Sequence, residues 1–370
     1  MKVQLVTSLR DFDALAPVWR EVARAGGQLS PFASHDWFAC CWRFAGPDRR
    51  REVWLFHDSG APVALVPLSR SRTRVRGFPV RRIEFLDSPD TGYTDFPRSV
   101  AADDVVDTLL ATLSTRRDWD MFALPKLRRD GKLLRALERG LRDRYAWRVA
   151  TSEVSPYLAL TGTWEEFVRN KTPRFRKTYR NIENRVERSG KVEVEEHRHV
   201  SPSDSVFAEM LRVSEESWKA PKGVAMATML GAPRFFRELT QRASANGSLH
   251  LWILRVDGRP LATEYQLRGN GVLHALRADY DSSMASLSPG AYLNAHIVRS
   301  LFERRDLNEY DMGPGAKEYK LRWATGEHEL VGLEVFAPTT YGRLLHRVQT
   351  RLVPFARRWR ARMQNTWRKP

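Results

Sequence analysis

The alternation of apolar and polar positions is clearest between Leu249 and Lys320, where it predicts several strands and one helix. The stretch begins with three strand-like apolar runs, at 249–256, 261–268 and 272–279. Asp257-Gly258 separates the first two runs, and Asn270-Gly271 separates the last two. Both dipeptides tolerate positive φ and are typical of tight hairpin turns, so the pattern predicts a three-stranded antiparallel meander.

A helix is predicted directly after the third run, beginning at Ser288-Pro289-Gly290. Its apolar residues recur every four positions on one face, at Leu293, Ile297 and Leu301. Proline suits the first helical position, and the serine can cap free N–H groups. A short strand at 309–312 is expected to return beside the third strand. Because a helix N-terminus has uncompensated N–H groups, this loop is a candidate site for an anion such as a pyrophosphate.

The first 150 residues repeat this pattern in a weaker form. Residues 53–70 align without gaps on residues 251–268, and the turn glycine and the proline after it coincide. A later helix-like run followed by WDMF resembles the predicted helix that begins at Ser288 and the EYDM that follows it. The first copy lacks the SPG loop and has Val66 where the second has Glu264. We therefore predict two similar halves, the first a scaffold that does not bind a cofactor in the same way. Two unrelated hairpin units are the alternative.

Composition is that of a folded protein with about two domains, since the chain has 370 residues and is 42% apolar. No run approaches ~18 apolar residues, and the N-terminus lacks the apolar core of a secretion signal, so we expect a cytoplasmic protein. Cys40 and Cys41 have no third partner, which favours reduced thiols. The chain contains no Walker loop, HExxH or GxSxG motif, and we predict no metal site.

The net charge of +17 is concentrated in two segments. Residues 169–191 carry nine Lys/Arg against two Glu, and residues 341–370 carry nine Lys/Arg and no acid. The rest of the chain is nearly neutral, which argues against nucleic-acid binding through bulk charge. Residues 163–189 predict one helix that Pro173 interrupts or restarts, with a capping box at Thr163 and Glu166. Its basic face is either solvated or contacts phosphates.

The second basic segment predicts an amphipathic helix kinked at Pro354, with Trp359 and Trp367 among its apolar residues. Tryptophans suit a water–lipid boundary, and lysines and arginines are attracted to anionic headgroups. We therefore expect 341–370 to attach the protein to an anionic membrane surface. A terminal helix packed on the body of the protein is the alternative.

The sequence resembles the GNAT-like acyltransferase family of cell-envelope and polysaccharide biosynthesis proteins, which is related to the FemAB-type peptidoglycan transferases. The resemblance rests on PFASHDWFACCW, ALVPL, TWEEFVRNKTPRFRKTYRNIENRVERSGKVEVE, VDGRPLA, SPGAYL and EYDMGPG followed by Glu318-Tyr319-Lys320. It covers most of residues 30–336 and implies an α/β (α+β) fold with two GNAT-like halves, each a mixed, mostly antiparallel sheet flanked by helices. The expected domains are a degenerate half at 1–150, a catalytic half at 151–337 and a basic amphipathic tail at 338–370.

The resemblance implies that acyl-CoA or acetyl-CoA is the co-substrate, with its pyrophosphate at the 279–290 loop. The third strand would supply main-chain contacts to the pantetheine arm. The predicted CoA-binding residues are Arg277, Ala278, Asp279, Leu287, Ser288, Gly290 and Ala291.

Glu264 is the main candidate for the base that takes the proton of the amine. It is a lone acid in an apolar strand, where desolvation raises the pKa of a carboxyl group. A two-residue turn at Asn270-Gly271 would place Glu264 opposite Arg277, so a cross-strand ion pair is the alternative. The same register places His274 opposite Leu267, as a proton shuttle or as a satisfied core histidine.

Asp311, Tyr319 and Lys320 match positions that the family presents near its active cleft. Tyr319 can protonate a departing thiolate, and Lys320 can bind a phosphate or the acceptor. The structural alternatives are a turn-forming aspartate at 311 and a surface charge at 320.

These observations predict an acyl-CoA-dependent N-acyltransferase that acts by direct transfer in a ternary complex at the inner face of the membrane. The acceptor would be an amine of a cell-envelope lipid or saccharide precursor, and the basic tail favours a lipid amine such as a sphingoid base, giving a ceramide-type product. A FemAB-type transferase that uses aminoacyl-tRNA is an alternative, although the long helical arm of that group has no clear counterpart in the sequence. A non-catalytic scaffold that binds membranes or nucleic acid is another.

Overall fold

The computed structural model describes residues 1–27, 30–44, 46 and 48–352. The strands are β1 (Lys2–Val6), β2 (Arg50–Asp58), β3 (Ala61–Val75), β4 (Phe78–Phe85), β5 (Met121–Arg128), β6 (Ala146–Ala159), β7 (Val192–His197), β8 (Leu249–Val256), β9 (Arg259–Gly269), β10 (Val272–Tyr280), β11 (Glu309–Asp311) and β12 (Gly326–Phe336). The α-helices are α1 (Leu9–Ala14), α2 (Ala16–Ala25), α3 (His35–Phe44), α4 (Ala102–Thr115), α5 (Lys132–Leu141), α6 (Trp164–Arg169), α7 (Pro173–Glu187), α8 (Ser205–Glu215), α9 (Ala232–Ala245), α10 (Pro289–Phe302), α11 (Glu318–Trp323) and α12 (Thr340–Arg347).

The strands form one twelve-stranded sheet in the order β1-β2-β3-β4-β5-β12-β6-β11-β10-β9-β8-β7. Each half contributes an antiparallel meander whose last strand is followed by a helix and a parallel neighbour: β4, α4 and β5 in one, β10, α10 and β11 in the other. The halves then exchange their final strands, because β6 pairs with β11 and β12 pairs with β5. The predicted architecture of two mixed, mostly antiparallel halves is confirmed. The expected boundary at 150/151 falls inside β6.

The β2–β3 and β8–β9 hairpins share the same backbone irregularities. Both turns place two residues in the left-handed region: Ser59, Gly60, Asp257 and Gly258. A β-bulge then shifts the register after Phe56 in one hairpin and after Leu254 in the other, positions that the gapless alignment superimposes. Bulges are specific features of a strand pair, so two at matching positions support a duplication more strongly than matching residue letters do.

The β9–β10 pair departs from the predicted register. His274 lies opposite Leu267 as expected, but a bulge after Ala275 then places Arg277 opposite Tyr265 and Ala278 opposite Glu264. The prediction that Glu264 faces Arg277 is therefore wrong by one residue. β10 pairs with β11 only from 272 to 274, so the two strands separate where the bulge begins. The β3–β4 pair of the first half has no such shift.

The two halves also share a hydrophobic core. Phe38 and Trp37 from α3 pack in one cluster with Phe235 and Leu239 of α9 and with Leu251 of β8. Burial of apolar surface contributes roughly 25 cal/mol per Å², so a cluster of this kind holds the halves together as one body. Their relative position is therefore fixed by packing as well as by the exchanged strands.

Residues 163–189, predicted as one helix interrupted or restarted at Pro173, form two helices with the break directly before that proline. Thr163 and Glu166 make the capping box of α6, and Pro173 is the first residue of α7. The apolar side of α7 packs on the protein, with Val186 fully buried. Arg185 donates to the Ser286 carbonyl at 2.7 Å, which joins the basic face to the loop before α10.

The second basic segment begins as a packed helix. Leu345 of α12 is buried in a cluster with Val80 and Phe336, and the Tyr341 hydroxyl donates to the Pro79 carbonyl. The alternative of a terminal helix on the body of the protein thus holds for the described part of the tail. Residues 353–370, which carry most of the predicted amphipathic pattern, lie outside the described residues. No helix among the described residues is long and apolar enough to cross a bilayer.

Candidate active site

Two adjoining cavities open on the surface around the separated ends of β10 and β11. The first, of 460 Å³, lies between β9, β10 and the start of α10, and we call it the α10 cavity. The second, of 240 Å³, lies between β10, the turn after β11 and residues 89–91 of the first half, and we call it the junction cavity. Five residues line both cavities: Lys219, Glu264, Ala278, Asn294 and Tyr319. The α10 cavity alone and the two cavities together match the size of small-molecule sites, whereas the junction cavity alone is smaller than most.

Glu264 lies where the cavities meet and is only 3% exposed. Its carboxylate accepts hydrogen bonds from the Tyr310 hydroxyl and, at 2.7 Å, from the Gln266 amide. Burial raises the pKa of Glu264, and the two hydrogen bonds offset only part of that effect. A buried carboxyl group with a raised pKa at a cavity surface is suited to general-base catalysis near neutral pH.

Tyr310 and Asn294 are site residues that the sequence analysis did not select. Tyr310 is buried in β11, lines the junction cavity and lies 3.5 Å from the Asn294 amide nitrogen. Burial, followed by the neighbouring Glu264 carboxylate, raises the pKa of Tyr310 well above its ordinary value. The tyrosine therefore stays protonated and donates to Glu264. No direct sequence signal selected Tyr310, because Asp311 was predicted to face the site and neighbouring residues of a strand point to opposite faces.

The Arg277 side chain joins the two halves and does not contact Glu264. Its Nε lies 2.7 Å from the Asp90 carboxylate of the first half, and a terminal nitrogen donates to the Val224 carbonyl at 2.8 Å. The ion-pair interpretation of Glu264 is thus wrong, because the bulge in β10 turns Arg277 toward Asp90.

Asp279 and Ala278 interact with Lys219. The Lys219 ammonium lies 3.0 Å from the buried Asp279 carboxylate and donates to the Ala278 carbonyl at 2.6 Å. All three residues line the α10 cavity. A ligand bound to the main chain of β10, as predicted, would therefore lie beside the Lys219 ammonium, which the protein already holds in place.

The start of α10 has fewer free amide groups than the sequence analysis expected. Ser288 has φ 59° and does not cap the helix with its side chain, which corrects the prediction. Its N–H donates to Ala285 and the Ala291 N–H donates back to the Ser288 carbonyl. Since Pro289 has no N–H, the Gly290 amide is the one in 288–291 without a partner in the described residues.

Ser288, Gly290 and Ala291 all line the α10 cavity, so the corner is open to a ligand. A side chain at Gly290 would meet the Tyr280 ring at 3.2 Å, which explains a glycine there. Leu287 instead packs against the cluster of Val186 and its neighbours, and it does not line the cavity. A pyrophosphate site at this corner stays a prediction.

His274 and Asp311 lie beside each other but line neither cavity. His274 Nδ1 is 3.3 Å from Asp311, which also accepts from the Ser155 hydroxyl at 2.5 Å and the Gly313 N–H at 2.9 Å. Burial alone would raise the pKa of Asp311, but these partners hold it at about 2. The His274–Asp311 pair therefore holds the turn after β11 in place, as expected if Asp311 is a turn-forming aspartate.

Tyr319 and Lys320 follow that turn on α11. Tyr319 is half exposed and lines both cavities, and burial of its hydroxyl, followed by the nearby Glu264 and Asp279, raises its pKa to about 12. Lys320 lines the junction cavity and donates to the Gly313 and Pro314 carbonyls at 2.8 and 3.0 Å. Burial lowers the pKa of Lys320 to about 8. It is therefore not a simple surface charge.

Of the five predicted catalytic residues, the structure brings Glu264, Tyr319 and Lys320 together and leaves His274 and Asp311 beneath them. Among the described residues, no group of three or more His, Cys, Asp and Glu side chains is arranged to hold a metal ion. The site thus offers a buried carboxyl group and two proton donors at the junction of two cavities, which is chemistry for proton transfer to and from bound substrates.

Comparison with known proteins bears on the fold and on the second half of the chain. Residues 173–321 match the family model described as an acetyltransferase (GNAT) domain. No curated protein sequence matches the chain. Among solved structures, the fold is similar to that of FemX, with 9% identity, 94% of this chain and 100% of FemX covered, and a TM-score of 0.57.

Two further structures share the fold. L-PGS from Bacillus licheniformis has 13% identity over 90% of this chain and 96% of its own, with a TM-score of 0.55. A conserved protein of unknown function from Bacteroides thetaiotaomicron has 14% identity over 90% of this chain and 100% of its own, with a TM-score of 0.56. Residues 173–321 therefore form an acetyltransferase (GNAT) domain, and the chain as a whole shares the fold of FemX and L-PGS.

Proposed function

We propose that the protein transfers an acyl group from an acyl-CoA to an amine, by direct attack within a ternary complex. The observation that carries the proposal is the position of Glu264, where the α10 cavity and the junction cavity meet. Two substrates that entered by separate cavities would place their reacting atoms at this carboxylate.

The α10 cavity is the proposed site of the thioester arm. It offers the free Gly290 amide at its helix end and the exposed edge of β10 along its wall. Arg185 lies against the loop before α10 and can add positive charge near a phosphate. These features support acyl-CoA or acetyl-CoA as the donor.

The junction cavity is the proposed site of the amine. The amine nitrogen attacks the thioester carbonyl, a C–N bond forms, and the C–S bond breaks. Glu264 takes the proton of the attacking nitrogen, and Tyr310 holds the carboxylate in position through its hydrogen bond. Tyr319, which is protonated at neutral pH, gives a proton to the departing thiolate. Lys320 supplies positive charge beside the junction cavity.

The acceptor that we propose is an amine of a cell-envelope lipid or saccharide precursor, with a sphingoid base and a ceramide-type product as one candidate. The family resemblance supports this choice. The basic tail at 341–370 supports it as well, because we expect the tail to hold the protein at the inner face of the membrane. Lipid and saccharide acceptors can be compared directly as substrates in a coupled assay for released CoA.

Titration calorimetry with acetyl-CoA and with a long-chain acyl-CoA tests the donor. Binding of either one is expected, and the tighter ligand identifies the acyl length. Glu264→Gln is expected to keep that affinity while turnover is lost. A protein that binds neither thioester would contradict the proposal.

A FemAB-type reaction with aminoacyl-tRNA as donor is the second candidate. It is favoured by the fold shared with FemX over 94% of this chain. Charged tRNA that supports turnover in the absence of acyl-CoA would select this candidate. Salt-sensitive RNA binding without turnover or CoA binding would instead indicate a non-catalytic scaffold.

A further inference from the structure

The loop between α8 and α9 exposes large apolar side chains beside the cavities. Trp218 is 45% exposed, Val224 is 46% exposed and Leu230 is fully exposed. Residues 217–231, which we call the border loop, contain Lys219 and Lys222 and directly follow the exposed Glu215 and Glu216. We propose that the border loop docks on an anionic lipid bilayer and inserts its apolar side chains among the headgroups.

The exposed side chains stand on a loop that the protein holds in place. Ala225 and Met226, next to Val224, are fully buried in the protein. Arg277 donates to the Val224 carbonyl at 2.8 Å, and Lys219 donates to the Ala278 carbonyl at 2.6 Å. These apolar side chains are therefore held exposed by the fold. Their contact with water is unfavourable in free energy, and insertion into lipid would remove that contact.

Charge favours a lipid surface as the occupant. The Lys222 ammonium lies 4.5 Å from the centre of the Trp218 ring, so a cation and an amphipathic ring occupy the same spot. Tryptophan prefers the bilayer interface, and each Lys or Arg near an anionic surface adds about 1 kcal/mol of attraction. Lys219 is already paired with the buried Asp279 carboxylate, so Lys222 is the cation of the loop that would meet the headgroups.

Exposed apolar side chains also occur on α11. Tyr319 and Leu321 on α11 are exposed, and Tyr319 lines the α10 cavity together with Trp218. Docking by the border loop would therefore place the mouth of that cavity at the headgroup region. This consequence rests on the proposed function, because it would let a substrate with a long chain pass from the bilayer into the site.

Vesicle sedimentation tests the docking independently of turnover. The full chain is mixed with vesicles of phosphatidylglycerol and phosphatidylcholine, and with vesicles of phosphatidylcholine alone. Stronger binding to the anionic vesicles is expected. The double variant Val224→Ser/Leu230→Ser is expected to bind them at least about tenfold more weakly, because two aliphatic groups that would insert into the bilayer are lost. Lys222→Glu is expected to lower binding to the anionic vesicles only.

Leu9→Ser, which changes a leucine that is 41% exposed on α1, is the matched control and is expected to bind like the unchanged protein. Unaltered vesicle binding by the double variant would overturn the proposal. So would a dimer, seen by ultracentrifugation without lipid, that the double variant abolishes. Calorimetry with acyl-CoA on the same samples separates the two proposals: vesicle binding that the double variant weakens, in a protein that does not bind acyl-CoA, would reject the proposed function and leave the docking surface standing.

Discussion

Val66 and Glu264 occupy equivalent positions in two hairpins that share the same turn and the same bulge. Each lies opposite a tryptophan, Trp54 in the first half and Trp252 in the second. Val66 is packed in the apolar core of its half, whereas Glu264 faces the two cavities. The two hairpins thus share one backbone geometry and differ at the residue on which the proposed chemistry depends.

Glu264→Gln is expected to lower turnover by roughly 10²–10⁴-fold, the usual contribution of a general base. The glutamine keeps the size of the side chain and can still accept from Tyr310, so acyl-CoA affinity is expected to stay unchanged. Steady-state kinetics and calorimetry measure the two effects. Glu327→Gln, at an exposed position of β12, is the matched control. Full activity of Glu264→Gln would show that another group takes the proton.

Tyr310→Phe is expected to move the acidic limb of the pH–rate profile to higher pH. The tyrosine donates to the charged form of Glu264 and so lowers its pKa, and loss of that hydrogen bond raises the pKa further. A general base is active only when it is deprotonated, which requires a pH above its pKa. A higher pKa therefore moves the acidic limb to higher pH. The profile of kcat/KM measures it. A reduced rate with an unmoved limb would mean that Tyr310 only fills space.

The fold was largely predictable from the sequence because its signals are local. Turn dipeptides and period-two runs specify the β8–β9–β10 meander, and the repeated turn and proline specify the first half. Pairing at long range was not predictable in the same way. The exchange of β6 and β12 between the halves depends on which strand edges remain free after both halves fold, and no local pattern records that.

The site was only partly predictable, for a similar reason. The lone acid in an apolar strand identified Glu264, and the motif after β11 identified Lys320. The expected ion pair between Arg277 and Glu264 does not form. The bulge after Ala275 shifts the register by one residue, and such a slip turns a side chain to the other face of the sheet. Asp90 comes from the other half, about 190 residues away in sequence, so its contact with Arg277 had no sequence signal.

Asp311→Asn is expected to destabilise the protein at neutral pH by on the order of 2 kcal/mol. The pKa of Asp311 is about 2 in the folded protein, below its ordinary value of 3.8. A lowered pKa gives stability that is present above the unfolded value and lost as pH falls from about 4 toward 2. Urea unfolding at pH 7 and at pH 3 measures this, with Glu327→Gln as control. The difference between variant and unchanged protein is expected to shrink at pH 3; an equal difference at both values would contradict the assignment.

Lys320→Arg is expected to remove a loss of activity above about pH 8. Burial lowers the pKa of Lys320 to about 8, so the unchanged protein loses this charge in mildly basic solution. The neutral amine donates more weakly to the Gly313 and Pro314 carbonyls, which support the turn beside the junction cavity. Arginine keeps its charge throughout this range. A basic limb at the same pH in kcat profiles of both proteins would assign the limb to another group.

Arg277→Gln is expected to destabilise the protein by about 3 kcal/mol, because it leaves the Asp90 carboxylate buried without its cation. Burial already raises the pKa of Asp90, and Arg277 opposes that rise. The variant carboxyl group is therefore expected to take up a proton more readily, so that its stability deficit narrows as pH falls. The double variant Arg277→Gln/Asp90→Asn is expected to recover part of the loss, since no charge then remains unpaired. Denaturant unfolding of the two single variants and the double variant measures the coupling energy; additive losses would show that the pair does not link the two halves.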